Sequence, residues 1–204
     1  MIAVVDYGVG NLFSLASSLR MIGEEAVVTG EAEVIAGAQQ VILPGVGAFG
    51  DAHRKLRETG LDRVLCDQAQ KGKPLLGICL GMQLLFQKSF EFGEHEGLSL
   101  LPGAVTDMTP RVGPGLKVPH IGWNALHIER GHPLLSGVRE GDCVYFVHSF
   151  SAVDCGGVLL ASTEYGTKIT AAAARGNVMG CQFHPEKSGA VGLEILKAFS
   201  QMRG

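Results

Sequence analysis

The 204-residue chain carries 17 Lys and Arg against 20 Asp and Glu, a formal net charge of −3, with 46% hydrophobic and 18% charged residues. That balance fits a sequence that buries a core in a single domain over residues 1–204. It argues against a basic face for nucleic acid or anionic membrane, and every apolar run is too short and too interrupted to span a bilayer.

In chain order, a strand is predicted over residues 2–6, then a helix over 11–22 with Leu12, Leu15, Ala16, Leu19 and Ile22 at helical spacing and Asn11 as its cap. Strands follow at 26–29 and 40–43. A glycine-rich turn occupies 44–50, and a helical stretch over 51–71 breaks at Gly60. A strand at 73–78 leads into a helix at 80–88. Beyond residue 104 the pattern turns to strands: 105–108, 123–128, 143–148, 158–162, 169–174 and 178–183. An amphipathic helix over 191–202 closes the chain. Alternating strands and helices build a parallel sheet covered on both faces. The expected fold is therefore α/β, a mostly parallel central sheet flanked by helices and extended by antiparallel strands.

Five cysteines, Cys66, Cys79, Cys143, Cys155 and Cys181, are odd in number and form no CxxC pair. That argues against a disulfide framework or a zinc knuckle and for a reducing cytoplasm. No basic, apolar secretory leader opens the sequence, which adds to the same expectation.

Sites in parallel α/β sheets form at the carboxyl ends of strands. One such end is Gly77-Ile78-Cys79-Leu80-Gly81, which reads strand, tight turn, helix. The pattern is a nucleophile elbow with sulfur in place of oxygen. The turn strains the nucleophile's backbone, the paired glycines admit close packing, and the following helix directs its positive end at the sulfur. The Leu80 N–H is free to meet a developing oxyanion. An isolated cysteine would more readily be a buried structural one; this context makes Cys79 the candidate nucleophile, and the other four read as structural.

A thiolate needs a base, and a base needs an orienting group. Cys181-Gln182-Phe183-His184-Pro185-Glu186 ends a strand and offers His184 and Glu186. On spacing alone, an ordinary surface pair explains them as well. His120 and His148 read as satisfied structural histidines that position loops, and His53, His95, His127 and His132 as solvent-facing or turn-capping. The turn Pro44-Gly45-Val46-Gly47-Ala48-Phe49-Gly50 lacks a Walker signature. It is either a source of N–H donors for an acyl oxygen or a plain tight turn. Trp123 is either an exposed anchor in a glycine-rich loop or a core residue.

Six segments occur in order: Asp6-Tyr7-Gly8-Val9-Gly10-Asn11, Leu43-Pro44-Gly45-Val46-Gly47, Gly77-Ile78-Cys79-Leu80-Gly81-Met82-Gln83, Pro119-His120-Ile121-Gly122-Trp123-Asn124, Tyr145-Phe146-Val147-His148-Ser149 and His184-Pro185-Glu186-Lys187-Ser188. Together they resemble the class I glutamine amidotransferases, and within them the glutaminase subunits of imidazole glycerol phosphate synthases. The resemblance spans essentially the whole chain. It implies a Cys79-His184-Glu186 triad that cleaves glutamine through a thioester, without cofactor or metal. It implies an oxyanion hole from the Leu80 N–H and the 45–47 turn, with the Val46 N–H presented after a peptide rearrangement and Gly47 beside it. Glutamine contacts would come from Gln83, Ser149, Gly47 and position 150, where Phe150 stands in place of the family's frequent Tyr. The implied partner is a (β/α)8-barrel cyclase subunit in a heterodimer, faced by His120, Trp123, Tyr145 and Lys187. No nucleic acid or membrane is expected to bind.

Overall fold

The computed structural model describes residues 1–204. Its elements are β1 (Ile2–Val5), α1 (Leu12–Met21), β2 (Ala26–Thr29), α2 (Ala32–Gly37), β3 (Gln40–Leu43), α3 (Phe49–Thr59), α4 (Leu61–Gln70), β4 (Leu75–Ile78), α5 (Leu80–Leu84), β5 (Lys88–Ser89), β6 (His95–Glu96), β7 (Ala104–Asp107), β8 (His120–Ala125), β9 (His127–Ile128), β10 (Cys143–His148), β11 (Phe150–Val153), β12 (Leu159–Glu164), β13 (Lys168–Arg175), β14 (Val178–Cys181) and α6 (Gly189–Ser200). Short 3-10 turns occupy Pro133–Leu135, Gly156–Val158 and Pro185–Lys187.

Eight strands form the central sheet in the order β2-β1-β3-β4-β14-β13-β12-β9. From β2 to β14 neighbours pair in parallel; β13, β12 and β9 continue antiparallel. All four residues of β1 are fully buried. Ile2 and Val4 join a core with Leu15 and Leu19 of α1 and Ile195, Leu196 and Phe199 of α6. Ala3 and Val5 enter the opposite core with Ile35 of α2, Leu56 of α3 and Leu65 of α4. Side chains alternate across a strand, so one covered by helices on both faces must read as an unbroken apolar run.

The parallel half follows its sequence pattern closely. Asn11 does flank α1, but its side chain makes no capping bond. Gly60, at φ 71, separates α3 from α4 as its position inside the helical stretch predicts. Helix α2 goes unpredicted because it has six residues and buries only Ile35, too little for a periodic signal. The helix expected over 80–88 ends at Leu84, and Lys88 instead opens β5.

The later half departs further. The strand expected at 123–128 begins at His120 and divides at the fully buried Leu126. Its two parts pair with different partners, β8 with β10 and β9 with β12. Strand β11 is unpredicted. Only some of these strands extend the central sheet: β10-β8 and β11-β7-β5-β6 form two separate small sheets. All five cysteines are free. Cys155 and Cys181 are buried as structural cysteines should be, whereas Cys143 is exposed and Cys66 half-buried. No helix is long and apolar enough to cross a membrane.

Candidate active site

Strand β4 runs parallel to β14 with Ile78 opposite Cys181. This register brings the elbow and the His184 segment to the same sheet edge, at the carboxyl ends of both strands.

Cys79 has φ 55 and ψ −111, a conformation few non-glycine residues adopt. Its neighbours enforce it. A Cβ on Gly77 would stand 2.6 Å from the Gly81 carbonyl oxygen, and one on Gly81 only 1.8 Å from that of Leu43. Cys79 N–H donates to the Cys181 carbonyl at 2.8 Å, tying the elbow to β14. Helix α5 has five residues, less than the expected helix and too short for a full macrodipole. What it offers is the N–H of Leu80, which has no partner within the helix.

His184 is held from several directions. Its N–H donates to Tyr145 O at 3.0 Å, and its carbonyl accepts from Ser188 Oγ at 2.6 Å. That same hydroxyl accepts from Tyr145 N–H at 3.0 Å. Glu186 Oε1 lies 2.8 Å from His184 Nδ1, with both side chains 3% exposed. The carboxylate accepts, so Nδ1 carries the proton, and Nε2 is buried beside Cys79 without a hydrogen-bond partner. Burial pulls the imidazole's pKa down, but Cys79 and Glu186 outweigh it and raise it to about 9. The ring is therefore a proton donor poised at a sulfur nucleophile at neutral pH. The surface-pair alternative for His184 and Glu186 is excluded by this burial.

Two residues that sequence reasoning passed over belong here. Gln182, fully buried, directs Nε2 at Cys79 Sγ at 3.7 Å and accepts from Gln83 Nε2 at 3.0 Å. An amide in an otherwise apolar run ahead of His184 was its signal. Glu91, 8% exposed, accepts from the Phe49 N–H at 2.6 Å. Burial raises its pKa against the opposing pull of that N–H and of His95. Its signal was a carboxylate between two phenylalanines.

A cavity of about 380 Å3 opens over the sulfur, lined by Val46, Gly47, Cys79, Leu80, Gln83, Glu91, Phe92, Pro119, Val147, His148, Ser149, Phe150 and His184. Gln83 spends its amide hydrogens on Gln182 and on the Phe150 carbonyl at 3.0 Å, leaving its own carbonyl oxygen for a ligand. The Phe150 carbonyl also accepts from His148 Nδ1 at 2.9 Å, so both its lone pairs are taken from inside the protein. Burial pushes His148 down to about 4, which keeps it neutral and suited to that bond.

His120 corrects an expectation. It is fully buried, stacked between Phe146 and Tyr165 and bonded to His148 and Asn124, so it presents nothing to a partner. It is a satisfied structural histidine, as its residue type alone suggested, though it sits on strand β8 rather than positioning a loop. His132 caps the Pro133–Leu135 turn, also as read. His53 and His95 instead flank Phe49, the residue bonded to Glu91. Trp123, Tyr145 and Lys187 do share one surface. Trp123 is 54% exposed and meets Tyr145 edge to face, and Lys187 Nζ stands 5.7 Å from the Tyr145 ring centre. Trp123 lies on strand β8 rather than in a loop.

Comparison with known proteins extends this picture. The sequence signature of the family described as glutamine amidotransferase class-I matches residues 3–201. A protein of Oceanobacillus iheyensis named imidazole glycerol phosphate synthase subunit HisH is 48% identical over 203 residues, 99% of each chain. One of the same name from Geobacillus thermodenitrificans is 52% identical, covering 98% of this chain and 94% of its own. Among solved structures, one described as a glutamine amidotransferase superimposes with a TM-score of 0.76 at 20% identity, covering 98% of this chain and 100% of its own.

Proposed function

The chain belongs to the class I glutamine amidotransferase family, and from that premise we propose that it is the glutaminase subunit of an imidazole glycerol phosphate synthase, serving histidine biosynthesis. The observation that carries the chemistry is the buried line from Glu186 through His184 to Cys79. Cys79 sulfur attacks the side-chain amide carbon of glutamine. The oxygen turns negative within reach of the Leu80 N–H and of donors from the 45–47 turn. His184 gives its proton to the departing nitrogen, releasing ammonia and leaving a γ-glutamyl thioester. Water then attacks the thioester carbon, and His184 takes its proton. Cleavage of the carbon–sulfur bond frees glutamate and restores Cys79. Glu186 holds the imidazole in the required tautomer throughout.

The charges of the cavity suit an amino acid. Glu91 and the Gln83 carbonyl oxygen offer acceptors for an α-ammonium group. Ser149 also lines the cavity and offers a hydroxyl, and the Phe150 carbonyl acts on the pocket's shape rather than on substrate. The cluster of exposed Trp123, half-buried Tyr145 and Lys187, which directly follows Glu186 in the 185–187 turn, is the docking face for the cyclase subunit, a (β/α)8 barrel that consumes the ammonia. Exposed Trp and Tyr are the residue types that interfaces favour, and Lys187 would stand at the rim.

A glutaminase assay with and without the cyclase subunit and its nucleotide tests the proposal. Weak turnover alone and strong stimulation by both are expected. Full turnover by the isolated chain, or no response to the cyclase, counts against it. The Cys79→Ala complex should still complete the cyclase reaction when ammonia is supplied from solution.

A further inference from the structure

Two hydrogen bonds bracket the turn beside Cys79. At its start the Tyr7 hydroxyl donates to the Pro44 carbonyl at 2.9 Å. At its end the Phe49 N–H donates to Glu91 at 2.6 Å. Between these pegs, the N–H groups of residues 45–48 donate to no other group of the protein. Val46 and Gly47 are exposed and line the cavity over the sulfur, so their N–H groups are open to a ligand bound there. Gly47 has φ 96, and glycine lets the peptides around it turn at little steric cost.

The start of the turn cannot follow such a rotation. Tyr7 is 5% exposed. A Cβ on Gly45 would stand 2.8 Å from the Tyr7 hydroxyl and 2.9 Å from the Gly81 nitrogen, so residue 45 is wedged between the tyrosine and α5. Burial first, and the proximity of Cys79 second, raise the phenol's pKa well above its ordinary value, which keeps it a neutral donor.

We propose that Tyr7 is a positioning residue for glutamine hydrolysis: its hydroxyl fixes the Pro44 carbonyl, confines backbone rotation to residues 46–48, and so aims a donor of that turn at the oxyanion formed on attack by Cys79. The proposal rests on the glutaminase reading. An oxyanion donor acts through its placement, and a turn released at one end keeps the donor but holds it in line for only part of the time.

The test is Tyr7→Phe in the complex with the cyclase subunit; the ring remains, so packing is kept, and a urea midpoint checks this. The glutaminase kcat should fall about five- to ten-fold, the worth of one hydrogen bond, with KM for glutamine within about twofold. Alkylation of Cys79 by iodoacetamide should proceed at the wild-type rate, because that displacement builds no oxyanion. An equally active variant beside an active wild type overturns this proposal alone. Alkylation that slows in step with kcat also overturns it, by moving the effect to the sulfur itself. Absence of glutamine turnover in the wild-type complex overturns the glutaminase reading and this proposal with it.

Discussion

The nucleophile and its base stand on adjacent strand ends, yet opposite means hold them. Cys79 is fixed by main chain: an unusual φ, two glycines that admit no Cβ, and an N–H tied to Cys181. His184 has an ordinary extended backbone and is fixed by side chains, with Glu186 on its ring and Ser188 bridging it to Tyr145. Rigidity built from backbone sterics fails abruptly when a single atom is added. A network of hydrogen bonds fails by degrees as its members are removed.

Substitutions sharpen that contrast, beginning with the largest effect. Cys79→Ala should lower glutaminase turnover on the order of 10⁴-fold while leaving the circular dichroism spectrum unchanged, since a single member of a catalytic unit can cost nearly all of its activity. Residual turnover near wild type would remove Cys79 from the nucleophile role. Glu186→Gln should cost about 10²-fold in kcat by loosening the tautomer and removing the imidazolium's counter-charge.

Glu186→Gln also has a pH signature. His184 is raised from its ordinary 6.5 to about 9 in the fold. The stability it contributes is therefore fully present below pH 6.5 and is lost as pH rises through about 9. Cys79 raises the imidazole most and Glu186 next, so urea midpoints taken at pH 6 and pH 10 should differ in the wild type and differ less in Glu186→Gln. An undiminished difference in the variant would place the source elsewhere.

Gly81→Ala tests the backbone side of the comparison. Its Cβ would collide with the Leu43 carbonyl oxygen, and a loss of about 3 kcal/mol in urea unfolding is expected for strain of this kind. A loss below about 1 kcal/mol would mean the elbow yields more easily than its geometry implies. Ser188→Ala, on the side-chain arm, should cost about 2 kcal/mol and leave KM for glutamine unchanged, because the Tyr145 N–H loses an acceptor and the His184 carbonyl a donor. A cost equal to that of Gly81→Ala would erase the distinction.

The same contrast explains what could be read from the sequence. The elbow is local: Gly77, Cys79 and Gly81 signal it within five positions, and the apolar runs of β1, β3 and β4 announce a sheet covered on both sides. The base is another matter. His184 and Glu186 carry an equally short motif, but the groups that make it a site include the Tyr145 main chain and the Cys79 side chain, and periodicity says nothing of such distant partners. Gln182 and Gln83 lie 99 residues apart, so neither could be linked to the other by spacing. His120 looked like a surface contact through resemblance, whereas its burial depends on the β8–β10 register that brings it to Phe146 and on Tyr165, 45 positions along, stacking on its other face. Strands β5, β6 and β9 are two residues each, too short for alternation to register.

Strand β14 fills the gap between β4 and β13, and this has a consequence in time. A ribosome delivers the amino-terminal strands first, and domains form as chain becomes available. Cys79 leaves the exit tunnel long before β14 does, so a growing chain displays its sulfur while it still lacks the imidazole that makes it useful. The pair of sulfur and imidazole is therefore complete only once the last strand has taken its place beside β4.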